Sequence, residues 1–125
     1  MIEDNFVSKL FYAEIMGLPT EGLSRRWPKS HITAFEAEEF CRKRSEKEGL
    51  PWRLPTSEEW DVDFAVAPFI HSVYGWTSTM SGSFRVNRGG GFGTGAAGLR
   101  AGLRGFDSPG ARGFNLGFRC ARDGD

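Results

Sequence analysis

A chain of 125 residues and 13.9 kDa has room for a single domain, 1–125, with one core. Its 39% apolar and 26% charged residues are an ordinary soluble composition, and 16 basic against 16 acidic residues argue against a general nucleic-acid binder or a polybasic membrane protein. No apolar run approaches ~18 residues and Met1-Ile2-Glu3-Asp4 is acidic, so neither a membrane span nor a secretory signal is expected; synthesis would leave it cytoplasmic.

In chain order, Asn5 to Met16 carries Phe6, Val7, Leu10, Phe11, Ala13 and Ile15 at helical spacing. Gly17 can end that helix and Pro19 cannot continue it. Pro19 to Pro28 reads as loop. Thr33-Ala34-Phe35-Glu36 has capping-box spacing and opens the clearest helix, which Gly49 stops. Ala37, Phe40 and Cys41 line its inner face; Glu38, Glu39, Arg42, Lys43 and Glu46 look outward, with Glu39–Lys43 an i, i+4 pair. Thr56-Ser57-Glu58-Glu59 repeats the capping-box spacing, and Trp60 and Phe64 face inward from a short helix that Pro68 ends.

Beyond that point the helical signals stop. Val73 to Ser78 and Phe84 to Arg88 read as short strands, as do Leu99 to Leu103 and the closing Leu116 to Ala121. Asp107-Ser108-Pro109-Gly110 is a β-turn by composition. Eleven of the 17 glycines fall between Gly89 and Gly117, so this part is rich in irregular backbone. Charge is uneven too: residues 1–75 hold 9 basic and 13 acidic side chains, while residues 76–125 hold 7 arginines, no lysine and 3 aspartates. Forked guanidiniums suit unpaired loop carbonyls, and that role is expected for them rather than an anion site.

The residues Trp52-Arg53-Leu54-Pro55-Thr56-Ser57-Glu58-Glu59-Trp60 resemble the RLPTEAEWE signature of the formylglycine-generating-enzyme, or sulfatase-modifying-factor, family. Arg88-Gly89-Gly90-Gly91-Phe92 is similar to its RGGSW, and Asn115-Leu116-Gly117-Phe118-Arg119 to its terminal GFR motif. Ile32 to Cys41 resembles its VSWxDAxxFC helix, Phe11 to Gly17 its ALWEAVMG helix, and Ser72 to Ser78 a decayed NVWEWTS. The resemblance implies an α+β fold, a compact C-type-lectin-like variant with two main helices, small twisted sheets and much irregular loop. Arg53, Trp60, Arg88, Gly89, Gly90 and Arg119 are then framework residues. Such motifs report fold, not activity.

Catalytic members of the family oxidise a substrate cysteine with a copper-binding cysteine pair shortly after RGGSW. Here that stretch, Gly93 to Arg100, has no cysteine, and its small side chains cannot hold a soft cuprous ion. Cys41 and Cys120 match framework positions that are disulfide-bonded in secreted relatives; here a disulfide or a buried thiol pair is expected. A second branch uses non-haem iron and histidines, but His31 and His71 lack ligand spacing and read as solvent-facing or satisfied. The segment that carries calcium in relatives is reduced to Asp61–His71, where Asp61 and Asp63 read as solvated. No cofactor is therefore expected, with calcium the one left open.

The expected function is a non-catalytic ligand-binding module. The scaffold also resembles the variable proteins of diversity-generating retroelements, in which changes scatter between fixed framework residues. The implied binding surface is the loops of 92–115, with Trp76, Phe92, Thr94, Phe106, Asp107, Ser108, Ala111, Phe114 and Asn115 as its residues. For Phe92 a core position is favoured; for Phe106 and Phe114 core and surface stand level. The implied partner is a protein or cell-surface ligand, with a cell-surface or phage-particle setting and oligomerisation left open. The alternatives are an enzyme of the family with unrecognised metal ligands, or a degenerate accessory or structural protein.

Overall fold

In a computed structural model, which describes residues 2–3, 5–60, 74–89 and 104–123, helix α1 runs Lys9–Met16. It starts later than its apolar spacing predicts. Val7 donates its N–H to the Phe118 carbonyl at 2.9 Å and accepts from Lys29 at 2.8 Å, so the backbone there is extended and paired with distant chain. Ser8 is the N-cap, its hydroxyl accepting from the Phe11 N–H, and Gly17 at φ 72° closes the helix as expected.

Helix α2 spans Ala34–Glu48 with both boundaries as read from sequence. The Thr33 hydroxyl accepts from the Glu36 N–H at 3.0 Å and the Glu36 carboxylate accepts from the Thr33 N–H at 2.9 Å. Ala37, Phe40 and Cys41 are buried. On the outer face Arg42, rather than Lys43, takes Glu39, and it bridges to Glu46 as well. One guanidinium fork gives separate nitrogens, Nε and one Nη, to the two neighbours. A buried Arg44 on the same helix, which the amphipathic pattern did not single out, binds both oxygens of Glu3 at 2.6 and 2.8 Å.

Residues 57–60 are helical, behind a second reciprocal cap. Thr56 donates its N–H to Glu59 at 2.8 Å and its hydroxyl accepts from the Glu59 N–H at 3.2 Å. Hydrogen bonding from Arg53, joined by the Thr56 N–H and working against burial, holds the Glu59 carboxyl at about 2, below its ordinary 4.5. A depressed carboxyl stabilises the fold above its unfolded value and ceases to as pH falls through its folded one. The stability gap between wild type and Glu59→Gln is therefore expected to be constant above about pH 5 and to close between about pH 4.5 and 2. Urea titrations across that range test it, and a flat gap contradicts it.

The sheet has the order β3-β2-β1-β4. Strands β1 (Tyr74–Ser81) and β2 (Phe84–Arg88) form an antiparallel hairpin, closed by Gly82 at φ 62° and Ser83. Strand β3 (Arg104–Asp107) pairs antiparallel with β2, and β4 (Leu116–Gly117) runs parallel to β1. β2 falls where expected, and β1 runs further than expected. β3 carries the chain extended through Asp107, so the turn begins one residue later than its composition suggests, with Ala111 donating to the Ser108 carbonyl at 2.9 Å. The closing strand is shorter than read. After Gly117 the carbonyls of Phe118 and Cys120 turn to the N–H groups of Val7 and Glu3 instead.

The main core joins α1, α2 and the final segment. Phe40 stacks on Tyr12 at 5.8 Å and meets Phe118 edge-on at 5.2 Å and Phe11 edge-on at 5.3 Å. Cys41 and Cys120 lie in this core as buried free thiols, side by side as the resemblance implied. The hydrogen bond to Cys120, and then burial, push the Cys41 thiol well above its usual range. A second cluster sets Trp60 against Phe6, Ile2 and Ala121. Among the described residues no helix is long and apolar enough to cross a membrane.

Candidate functional site

Among the described residues, Arg85, Arg88, Arg112 and Arg119 act as expected of the back-half arginines, by pinning backbone. Arg88 is fully buried and gives one Nη to both the carbonyl and the hydroxyl of Ser57, at 2.7 and 2.8 Å. Arg119, also buried, donates Nε to the Glu3 carbonyl at 2.8 Å and lies over the Trp60 ring. Arg85 reaches the Thr77 carbonyl at 3.2 Å and Glu38 at 3.1 Å. Gly89 sits at φ 106°, which a side-chain-bearing residue rarely adopts. In the front half, Arg53 clamps Glu59 through two bonds and reaches Asp123 at 2.7 Å.

On this frame the segment 108–115 is tied down by its backbone. The Pro109 carbonyl accepts from Ala34 at the start of α2, and the Gly113 carbonyl accepts from His31, both at 2.9 Å. The Asn115 carbonyl accepts from Tyr74 at 2.7 Å. Arg112 adds an ion pair to Glu36 and a bond to the His31 carbonyl. Phe114 is left free of that work and is 56% exposed; Phe106, on β3 just before the segment, is 53% exposed.

Between this segment and the sheet lies a pocket of about 370 Å³, lined by Tyr74, Asn87, Gly105, Asp107, Phe114, Asn115 and Leu116. Strand register explains the set. Asn87 stands opposite Gly105 and Arg85 opposite Asp107, so alternation puts Asn87, Gly105 and Asp107 on one face. Asn87 is the floor, buried, and donates its amide N–H to an Asp107 oxygen at 2.8 Å. Gly105 is required for this, because a Cβ there would stand 2.2 Å from the Asn87 amide oxygen.

Of the expected binding residues, Asp107, Phe114 and Asn115 meet in this pocket. Phe106 does not. It pairs with Val86 on the opposite face of β3, exposed there. Ser108 is exposed at the turn, and Ala111 is half-buried against the core. Trp76 is a correction. It was expected on the binding surface, yet it is wholly buried, its indole N–H given to the Ile32 carbonyl at 2.8 Å. Its place in β1 opposite Asn87 puts it on the same face of the sheet as the pocket, but there its ring packs against the α2 core instead of facing solvent. His31 is exposed on its loop beside Ser30, as a solvent-facing histidine should be. Gly90, Gly91, Phe92 and Thr94, the stretch Gly93–Arg100 and the strand expected over Leu99–Leu103 lie outside the described residues. So do Asp61, Asp63, Phe64 and His71, and with them the Asp61–His71 segment on which calcium turned.

Tyr74, Asn87, Gly105 and Leu116 were not anticipated in the site. Asn87 carried a usable sign: asparagine is disfavoured inside strands, so an amide within a predicted strand points to a specific hydrogen bond. A second hollow, about 390 Å³, runs between α2 and the segment holding Trp52, Arg53 and Leu54. Its polar groups serve one another: Arg53 holds Glu59, Arg42 holds Glu39 and Glu46, and the Ser45 hydroxyl donates to the Cys41 carbonyl. The pocket on the sheet keeps polar groups to spare and is the better candidate.

The sulfatase-modifying factor enzyme 1-like domain family matches residues 7–81. No curated protein matches the sequence. Among solved structures, Treponema denticola variable protein 1 superposes with a TM-score of 0.75 at 18% identity, over 95% of this chain and 82% of that one. PvdO from Pseudomonas aeruginosa gives 0.73 at 16% identity, over 84% of this chain and 65% of that one. Both have the formylglycine-generating-enzyme-type C-type-lectin fold, the α+β architecture expected from sequence. The family match stops at Ser81, ahead of every pocket residue except Tyr74.

Proposed function

This chain belongs to the sulfatase-modifying factor enzyme 1-like domain family, and we propose that it is a non-catalytic ligand-binding module within it, working without a cofactor. Its binding face is the pocket on the sheet and the segment 105–115 around it. One observation carries this reading: the backbone of 108–115 is fastened to α2 and β1, while Ser108 and Phe114 on it stay exposed. Side chains on such a segment can change without loosening the scaffold, and rigid aromatic rings bury area at small entropic cost. The partner class is a protein or a cell-surface ligand.

The finer form of the proposal is that the chain is the variable protein of a diversity-generating retroelement. The likeness in fold to a variable protein supports it. The gene's neighbourhood tests it. A nearby reverse transcriptase, with a near-copy of the 3′ coding region differing at adenines, is the expected result. A complete neighbourhood with neither removes the diversification claim.

The exposed ring at position 114 gives a test at the bench. Phe114→Ser is expected to leave the melting temperature within about 2 °C of wild type, since exposed substitutions away from caps and cores stay within about 0.5 kcal/mol. A drop several times larger would make Phe114 a core residue.

A further inference from the structure

Resting on that reading of the face, we propose that the pocket selects a cation: an alkylammonium or guanidinium group entering between Asp107 and Phe114. Asp107 is the one charged residue among the seven that line the pocket. One of its oxygens takes the Asn87 amide N–H, and among the described residues no cation pairs with it. Arg85 is its register partner on β2, but that guanidinium is spent elsewhere, on Glu38 and the Thr77 carbonyl. A half-buried carboxylate with a spare oxygen on the pocket wall offers a charged acceptor that an entering cation can take in place of water.

The rest of the lining suits a cation better than a neutral polyol. Asn87 spends one amide N–H on Asp107 and keeps the amide oxygen, an acceptor, beside its second N–H. The absent side chain at Gly105 leaves that oxygen its room. At the mouth, Phe114 offers an exposed aromatic face, which attracts a cation by its quadrupole, and Tyr74 supplies a second ring. A sugar ring needs donors and acceptors in balance. Here a carboxylate with no cation partner among the described residues stands in one lining with two aromatic rings, and negative charge beside π-faces is the chemistry that recognises N–H groups bearing positive charge. A pocket of about 370 Å³ holds a side-chain head or a small amine, not a folded segment.

Backbone-amide NMR titration of the whole chain tests this, with N-acetyl-arginine methylamide, N-acetyl-lysine methylamide and agmatine as cations. N-acetyl-citrulline methylamide and a neutral monosaccharide are the uncharged probes. The expected result is saturable shifts at Asn87, Gly105, Asp107 and Asn115 with the cations, at least tenfold weaker with citrulline. Tighter binding of the capped amino acids than of agmatine assigns the cation to a protein partner's side chain; the reverse assigns it to a free amine. Asp107→Asn keeps an acceptor for Asn87 and should fold with unchanged spectral dispersion, yet lose the cation response at least tenfold. Gly105→Ala, which displaces the Asn87 amide, should weaken it as well. Equal response to citrulline, or a response untouched by Asp107→Asn, overturns cation selectivity while the binding face stands. Shifts from the monosaccharide alone do the same in favour of a polyol. No response to any probe at these residues overturns the cation proposal, and the gene-neighbourhood result then decides the broader reading separately.

Discussion

Trp60→Ala is expected to cost about 3–5 kcal/mol, the range for removing a large buried aromatic ring, and so a large fraction of a small domain's stability. The indole is fully buried. Phe6 meets it edge-on at 6.1 Å and the Arg119 guanidinium lies 4.9 Å from the ring centre. From the other side the backbone of β1 presses on it: a Cβ added at Gly75 would fall 2.6 Å from the indole Cζ2. Strand, N-terminal segment and terminal arginine therefore share one ring. Without it they enclose a hole that a β-strand cannot collapse to fill. Urea unfolding followed by far-UV circular dichroism measures the loss. Under about 1 kcal/mol would show that the neighbours repack around a smaller residue.

The second large effect is expected at Arg44. Its side chain is only 8% exposed, and it holds Glu3 through two bonds and Glu48 through a third at 3.1 Å. Its guanidinium also lies 3.6 Å from the Trp52 ring centre and 4.8 Å from that of Phe11. Arg44→Ala removes charge and packing together and takes the cation from two carboxylates that are about one-third exposed, of which Glu48 keeps the Trp52 indole N–H. Those carboxylates recover some water, so the loss should fall near about 3 kcal/mol, at the low end for breaking a buried pair. Arg44→Met separates the two contributions. It restores the aliphatic contact with Trp52 and should recover at least a third of the loss. If both variants unfold alike, the ion pairs hold the site; if Arg44→Met equals wild type, packing does.

How far the sequence could be read depends on the range of the interactions concerned. Helix α2 was legible to its ends, because a capping box and a left-handed glycine are bonds among residues three to five apart. The turn into residues 57–60 was legible for the same reason. Strand β2 was legible by its glycine and serine borders. The start of α1 was not. Phe6 and Val7 fit a helix by spacing, and what draws Val7 out of it is the Phe118 carbonyl, far along the chain. Arg44 could not be told from its exposed neighbours, since what buries it is Glu3 and Trp52. Trp76 misled because an aromatic beside a loop-rich half suits a binding surface as well as a core, and only the packing of Ile32 and α2 against it decides that it is buried.

The same division runs through the candidate site. Asp107, Phe114 and Asn115 could be picked out as residues set between framework motifs, and all three line the pocket. Its floor and back wall could not. Asn87 and Gly105 become partners only when β3 registers against β2, and Tyr74 and Leu116 only when β4 lies parallel beside β1. By itself the sequence determined the family, the fold class, the capped helices and the anchoring arginines, because these rest on local bonds and on motifs that hold wherever they occur. The tertiary structure alone decided which aromatic rings face water and which residues enclose the pocket. Burial and strand register are properties of segments distant in the chain, and no short stretch of it contains them.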